Sequence, residues 1–119
     1  MNQKAKREFV QDFLLRVGIA PNIKGFEALT EAVLLAAEEL SVMRAVTKEL
    51  YPSVAEVLGD KPQRVERVMR HAIYECFTRG DVEAIMRSCK LCPKMHKGAY
   101  SNSEFIGAVA LLVRREFDE

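Results

Sequence analysis

Apolar residues recur at intervals of three and four positions through nearly the whole chain of 119 residues. The first segment shows the pattern, with Phe9, Val10, Phe13, Leu14 and Val17 on one side of a helix. This spacing is typical of amphipathic α-helices, whereas a half-buried strand alternates apolar and polar residues. No alternating run of useful length occurs in the sequence. The sequence therefore predicts an all-α fold.

Glycine and proline residues divide the pattern into six to seven helices. The first helix is expected to end at Gly18, and the others are predicted at about 26–40, 42–50, 52–58, 62–79, 81–88 and 102–116. Side chains suited to cap a helix precede three of them: Asp60 with Gln63 in a capping-box position, Asp81 alone, and Ser101 with Glu104. We expect these helices to form one compact domain over residues 1–119.

Length and composition narrow the class of protein. A chain of this length with 49% hydrophobic residues can bury a core and is too apolar for intrinsic disorder. No apolar run approaches the roughly 18–20 residues that a membrane span needs, and the N-terminus lacks the apolar stretch of a signal peptide. An odd number of cysteines, three, is typical of free thiols in a reducing compartment. We therefore expect a cytoplasmic protein without a membrane partner.

The formal charge of +1 conceals an uneven distribution along the chain. Residues 20–60 contain three Lys or Arg against seven Asp or Glu, whereas residues 61–98 contain nine against four. A local basic surface attracts an anionic partner even when the total charge is close to zero. The sequence therefore predicts a basic face in the second half of the chain.

The segment at residues 61–72, KPQRVERVMRHA, concentrates cationic side chains on one predicted helix. Helical geometry divides the side chains of this helix between two faces. Apolar residues form the first face: Val65, Val68, Met69, Ala72, Ile73 and Cys76. Polar residues and one tyrosine form the opposite face and its flanks: Gln63, Arg64, Glu66, Arg67, Arg70, His71 and Tyr74.

The short helix predicted at 52–58 has residues suited to pack on that apolar face. Val54 and Leu58 lie one helical turn apart, and Ala55 supplies a small side chain where two helices would cross. Two helices joined by a short turn that contains glycine form a helix-turn-helix. The second helix of this motif enters the major groove of DNA. The sequence therefore predicts a helix-turn-helix at about 52–79.

The charged side chains of the second helix could read bases. Arg64 and Arg67 can each donate two hydrogen bonds to guanine, and Glu66 can accept one from the amino group of cytosine. An acid is out of place on a helix that only contacts phosphates. The alternative is a solvated face on which Arg70 pairs with Glu66, a pair that contributes a few tenths of a kcal/mol. The pattern alone leaves both interpretations open.

Five segments occur in a specific order: VGIAPNIKGFEALTEAV, VTKELYPSVAEVL, RVERVMRHAI, TRGDVEAI and SNSEFIGAV. Over residues 17–117 the chain resembles the C-terminal DNA-binding effector domain of the master sporulation response regulator, the stage-zero regulator of spore-forming bacteria. The resemblance implies a six-helix fold with a helix-turn-helix that activates or represses transcription. It also implies head-to-tail binding to tandem TGTCGAA-like boxes in double-stranded DNA, with Arg64, Glu66 and Arg67 contacting bases.

Residues around this trio are expected to support DNA binding. Gln63, Arg70 and His71 lie on the same predicted helix, and Lys94 and Lys97 belong to a basic run without an acid between residues 84 and 98. Such side chains contact phosphates in protein–DNA complexes, although an ordinary solvated loop has the same composition.

The resemblance also assigns a second surface. TRGDVEAI aligns with the surface by which the family contacts the sigma subunit of RNA polymerase, with Arg79, Asp81, Glu83 and Arg87 as candidate contacts. From the residues alone, this segment is only a short amphipathic helix.

Regulators of this type, the output components of two-component systems, carry an N-terminal receiver domain that is phosphorylated on an aspartate. A chain of 119 residues cannot contain both domains, so we expect no receiver domain here. The chain is then either an excised effector domain or a natural receiverless relative. The second possibility supports an alternative function, a helical protein-interaction module that titrates a full-length regulator or a sigma factor.

Cys89-x-x-Cys92, followed by His96, suggests a zinc site, but a structural zinc ion needs four ligands. Only Cys76 or His71 could supply the fourth, and Cys76 lies on the predicted apolar face, where a free cysteine acts as a small hydrophobic residue. We therefore expect plain thiols, no metal and no cofactor. No set of nucleophile, base and orienting group can be assembled from two histidines and scattered acids, so we expect no enzyme.

Overall fold

A computed structural model describes residues 3–79 and 100–117. Within these ranges the chain forms helices and no strand, which confirms the predicted all-α fold. The α-helices are α1 (Gln3–Arg16), α2 (Lys24–Glu38), α3 (Tyr51–Leu58), α4 (Pro62–Arg79) and α5 (Asn102–Phe117). The helix predicted at 81–88 lies outside the described residues.

Helix α2 forms the centre of the bundle, because it contacts all four other α-helices of the described ranges. Its alanines at 28, 32 and 36 are completely buried and allow neighbouring helices to approach closely. Burial extends over most of its circumference, which is wider than the single stripe expected of a surface helix. The core of the protein therefore surrounds α2.

The segment between α2 and α3 differs from its prediction. The sequence predicts one helix over 42–50, but the chain forms a 3-10 helix over Leu40–Arg44 and a π-helical turn over Val46–Leu50. Pro52 has no N–H for the carbonyl of Lys48, so a regular α-helix through this junction would lose a hydrogen bond. The N–H of Tyr51 instead bonds to the carbonyl of Val46, five residues back.

Helix α5 begins as the sequence predicts. The N–H of Ser101 donates to Glu104 Oε1 (2.9 Å), and the N–H of Glu104 donates to Ser101 Oγ (3.2 Å), which is a complete capping box. Further along, Arg114 Nη1 donates to the carbonyl of Ala37 (2.6 Å), near the end of α2, where helix carbonyls lack partners. These contacts fix α5 on α2.

None of the helices in the two described ranges has the length and apolar composition that crossing a membrane requires.

Candidate nucleic-acid interface

A turn of three residues, 59–61, joins α3 to α4. Gly59 adopts the left-handed conformation (φ 66°), which favours glycine because it has no Cβ. The N–H of Gly59 bonds to the carbonyl of Glu56 (3.4 Å), and the N–H of Asp60 bonds to that of Ala55 (2.9 Å). These are the two hydrogen bonds of a Schellman motif. The turn therefore ends α3, as the sequence predicts, and sets the direction of α4.

The buried face of α4 agrees with its prediction apart from two residues. Val65, Met69, Ala72, Ile73 and Cys76 are buried, whereas Val68 is only half-buried. Phe77, which the prediction omits, is also buried and stacks on Tyr100 with 5.2 Å between ring centroids. This contact ties the end of α4 to the residues before α5.

The opposite face of α4 is open to solvent. Its exposed side chains match the predicted polar face: Gln63, Arg64, Arg67, Arg70, His71 and Tyr74. Glu66 lies at the edge of this face and is half-buried. The three predicted base-reading residues therefore lie together on the first two turns of α4, the part of a recognition helix that reaches base edges.

Asp60 does not form the predicted capping box with Gln63. Helix α4 begins at Pro62, and the carbonyl of Lys61 accepts the N–H of Val65 (2.9 Å), so Lys61 occupies the cap position. Proline disfavours the helical conformation in the residue before it, so Lys61 stays outside the helix. Asp60 therefore lies one position before the N-cap and cannot cap α4. The Asp60 carboxylate instead accepts the N–H of Lys61 (2.8 Å).

Two of the three predicted base-reading side chains form ion pairs with a neighbouring residue. Asp60 Oδ2 lies 3.3 Å from Arg64 Nε, and Arg70 Nη1 donates a hydrogen bond to Glu66 Oε2. The second pair is the one expected of a solvated helix face. Arg67 is exposed and forms no hydrogen bond or ion pair with any residue in the described ranges.

Asn102 connects α5 to both α3 and α4, a link that the sequence interpretation missed. Its side chain is buried, and its Nδ2 donates to the Tyr51 hydroxyl (3.1 Å) and to the backbone carbonyl of Glu66 (3.1 Å). Because a carbonyl can only accept, the nitrogen of the amide must face Glu66. The sequence contains a signal for this role, since Asn102 precedes Phe105, Ile106 and Val109 on the apolar stripe of α5.

The polar groups of this link are strongly desolvated. Asn102 Oδ1 is buried and has no hydrogen-bond partner among the described residues. Burial also raises the pKa of the Tyr51 hydroxyl above its ordinary value of 10.0. Nδ2 therefore holds both the Tyr51 hydroxyl and the backbone of Glu66, while the buried amide oxygen makes no hydrogen bond with a described residue.

The start of α2 flanks the exposed face of α4. A Cβ at Gly25 would lie 2.5 Å from Ala72 Cβ and 2.5 Å from the carbonyl oxygen of Val68, so only glycine permits this approach. A groove of about 320 Å³ follows this contact and is lined by Ile23, Lys24, Gly25, Arg67, Val68 and His71. Lys24 is thereby added to the basic surface of α4, which the sequence could not show.

Arg79 is the one candidate for the sigma-subunit surface that lies within the described residues. It is exposed at the end of α4 and pairs with Glu75 (Nε–Oε1 2.8 Å).

Cys76, a candidate zinc ligand in the sequence, is part of the core. Its thiol donates to the carbonyl of Val17 (3.2 Å). Burial raises the pKa of this thiol from 9.0 to about 11, so it is protonated at neutral pH. The remaining candidates lie outside the described residues: Asp81, Glu83, Arg87, Cys89, Cys92, Lys94, His96 and Lys97. Within the described ranges no cluster of His, Cys, Asp or Glu could hold a metal ion.

The family described as "Sporulation initiation factor Spo0A C terminal" matches residues 10–113 of the chain. The chain belongs to this family. The Spo0A C-terminal family is the DNA-binding domain of a sporulation transcription regulator, and it is not an enzyme family. The match begins inside α1 and contains the whole of α2, α3 and α4. The exposed face of α4 thus belongs to the part of the chain that the DNA-binding family covers.

Proposed function

We propose that this chain is a sequence-specific DNA-binding transcription regulator domain, with α3 and α4 as a helix-turn-helix and α4 in the major groove of TGTCGAA-like boxes. The observation that carries this proposal is the cluster of Arg64, Glu66 and Arg67 on the exposed start of α4. The turn at 59–61 and the Asn102 amide hold that part of the helix against the core. A rigid helix with outward donors suits direct readout of base edges.

Each of the three side chains has the donors or acceptor that its role requires. Arg67 is free to donate two hydrogen bonds to O6 and N7 of a guanine. Arg64 faces Asp60 with Nε, which leaves its two terminal nitrogens for a second guanine. Glu66 binds Arg70 through Oε2, which leaves Oε1 to accept from a cytosine amino group.

Phosphate contacts are proposed on both sides of this trio. Gln63, Arg70 and His71 project from α4, and Lys24 at the start of α2 lines the same groove as His71. Lys94 and Lys97 are proposed from their basic run in the sequence. Contacts of this kind fix the register of a protein on the duplex without reading its sequence.

A second copy of the domain and the sigma subunit are proposed as further partners, and the protein is proposed to act in the cytoplasm. Residues 1–119 would act as one effector domain that associates head-to-tail on tandem boxes. Arg79, Asp81, Glu83 and Arg87 would contact the sigma subunit of RNA polymerase. Of these four residues, Arg79 supports the proposal with an exposed position at the end of α4.

A pair of substitutions tests which residues read sequence. Arg67→Ala should weaken binding to a duplex with tandem TGTCGAA boxes by about 1–3 kcal/mol and binding to a scrambled duplex much less. Lys97→Ala should weaken both by similar factors and make the negative slope of log K against log salt shallower by about one unit. Binding isotherms at several salt concentrations measure both effects.

The same isotherms test the alternative function. The Glu66–Arg70 pair is compatible with this alternative, because a solvated helix face that reads no bases would show the same pair. A wild-type protein that binds both duplexes equally would contradict sequence-specific binding. Equal losses on both duplexes for Arg67→Ala would show that this arginine only contacts phosphate. If neither substitution changes binding, a module that titrates a full-length regulator or a sigma factor becomes the better proposal.

A further inference from the structure

The Asp60 carboxylate is fixed by backbone contacts just before α4. The backbone N–H of Asp60 donates to the carbonyl of Ala55 (2.9 Å), and Oδ1 of its carboxylate accepts the N–H of Lys61 (2.8 Å). Its side chain is only 18% exposed, although it stands at the edge of the basic surface. The first bond fixes the backbone of Asp60 and the second holds its carboxylate, so the carboxylate has little freedom to move.

This fixed carboxylate faces two cations of the proposed DNA-binding surface. Asp60 Oδ2 lies 3.3 Å from Arg64 Nε and 4.0 Å from Lys24 Nζ. A guanidinium group has five N–H donors in one plane, and the contact with Asp60 uses the Nε edge. Nη1 and Nη2 remain available, and two parallel N–H donors are what O6 and N7 of guanine accept.

We propose that Asp60 is a specificity-determining positioning residue, which orients Arg64 for bidentate contact with a guanine. The inference rests on the proposed function, because it needs Arg64 to read a base. Arg64 is half exposed on a long side chain and would otherwise sample many rotamers before binding. Asp60 restricts those rotamers in advance, and the contact with guanine then becomes more selective.

A positioning role of Asp60 and a purely electrostatic role predict different changes in DNA affinity. An acid beside a basic DNA-binding surface repels phosphates, so its removal should strengthen binding to any duplex. Loss of the orientation of Arg64 should instead weaken binding only to a duplex that has a guanine at the position contacted by Arg64. A positioning role therefore predicts tighter binding to scrambled DNA together with a smaller preference for the box.

Asp60→Asn separates the two effects. The amide oxygen can keep the hydrogen bond from the Lys61 N–H, and the amide NH2 group then faces Arg64 and cannot pair with it. The dissociation constants are measured on the tandem box, on a scrambled duplex, and on boxes with one guanine replaced at a time. We expect the preference for the box to fall by about two- to fivefold, in line with the modest strength of a partly exposed ion pair. The fall should be confined to one guanine position, while binding to the scrambled duplex tightens.

Glu75→Gln is the matched control. It also removes one negative charge and breaks a comparable pair, Glu75 with Arg79 (2.8 Å), at the opposite end of α4. Glu75 Oε2 lies 3.9 Å from His71 Nε2 as well, and a change in a phosphate contact should affect both duplexes equally. The preference for the box should be unchanged in this variant. Circular dichroism melts establish that each variant is folded at the temperature of the binding measurement, and Asp60→Ser replaces Asp60→Asn if the latter does not fold.

A double-mutant cycle with Arg64→Ala shows whether Asp60 acts through this arginine. In the Arg64→Ala background, Asp60→Asn should leave the preference for the box unchanged. A persistent fall in that background would overturn the proposal, and so would an unchanged preference in the single variant. A wild-type protein without any preference would contradict the proposed function itself, so the two failures are distinguishable.

Discussion

In the free protein, the three side chains proposed to read bases have different surroundings. Arg67 has no partner among the described residues and must lose its rotamer freedom when it binds. Arg64 and Glu66 are already paired with Asp60 and Arg70, so their orientation is partly set before DNA arrives. Residues on one helix face can thus contribute to recognition at different entropic cost.

Cys76 gives a prediction at the residue scale. Burial raises the pKa of its thiol from 9.0 to about 11, so the unfolded chain releases this proton first as the pH rises. The resulting stabilisation is complete below pH 9 and is lost between about pH 9 and 11. From pH 8 to 10.5, the free energy of unfolding should therefore fall more in the wild type than in Cys76→Ala, by on the order of 1–2 kcal/mol.

Urea unfolding under reducing conditions, followed by circular dichroism, measures this difference. Cys76→Ala also lowers stability at pH 8, but this loss does not affect the comparison, because each protein is compared with itself at two pH values. Parallel pH profiles for the two proteins would contradict the assigned environment of the thiol.

At the scale of the helices, α4 is held from three directions. The turn at 59–61 connects it to α3, the Asn102 amide binds the backbone of Glu66, and the start of α2 contacts it at Gly25. All three contacts involve backbone atoms, which cannot change rotamer as side chains do. The exposed side chains of α4 therefore project from a helix whose position is closely defined.

Gly25 gives a prediction at this scale, with Gly107 as its control. In Gly25→Ala the new Cβ would meet Ala72 Cβ and the Val68 carbonyl at 2.5 Å, so α2 and α4 must move apart. We expect a loss of about 1–3 kcal/mol in the free energy of unfolding. In Gly107→Ala the nearest atom is Met43 Cε at 3.6 Å, an ordinary contact. Alanine is the better helix former, so this variant should gain about 0.5–1 kcal/mol.

Denaturant unfolding of both variants tests the close approach of α2 and α4. Opposite signs for the same glycine-to-alanine change would support it. A Gly25→Ala variant as stable as Gly107→Ala would show that the two helices do not touch at this point.

For the molecule as a whole, one core surrounds α2 and includes residues from every α-helix of the described ranges. The acidic stretch at 20–60 and the basic stretch at 61–98 give the chain its uneven charge. Long-range attraction to DNA then depends on the basic part and not on the net charge of +1. Stability and recognition are coupled, because α4 belongs to both the core and the proposed binding surface.

A matched pair of valines tests the whole core. Val65 on α4 is 1% exposed, and Val65→Asp would bury an unpaired carboxylate, a change that costs several kcal/mol. Because a domain of this size is stable by about 5–15 kcal/mol, we expect much or all of its cooperative unfolding transition to be lost. Val57 on α3 is 66% exposed, and Val57→Asp should change the free energy of unfolding by about 0.5 kcal/mol or less.

Thermal melts followed by circular dichroism compare these two variants with the wild type. A Val65→Asp variant with wild-type stability would mean that the apolar face of α4 does not point into the core.

The features that the sequence by itself determined are local ones. The 3–4 spacing of apolar residues determined the all-α fold and the buried face of α4, because each position on a helix is set by its neighbours within two turns. Gly59 determined the end of α3, and Ser101 with Glu104 determined the start of α5, because a helix end depends on a few adjacent residues. The exposed position of Arg64 and Arg67 followed from the same periodicity.

Tertiary structure alone decided which distant residues meet. Asn102 reaches the carbonyl of Glu66 across 36 positions, and Gly25 meets Ala72 although nothing near either residue in the sequence indicates a partner. The pairing of Asp60 with Lys24 is of the same kind. Local propensity acts over a few residues, whereas these contacts depend on how whole helices cross, and crossing is set by the packing of the complete core.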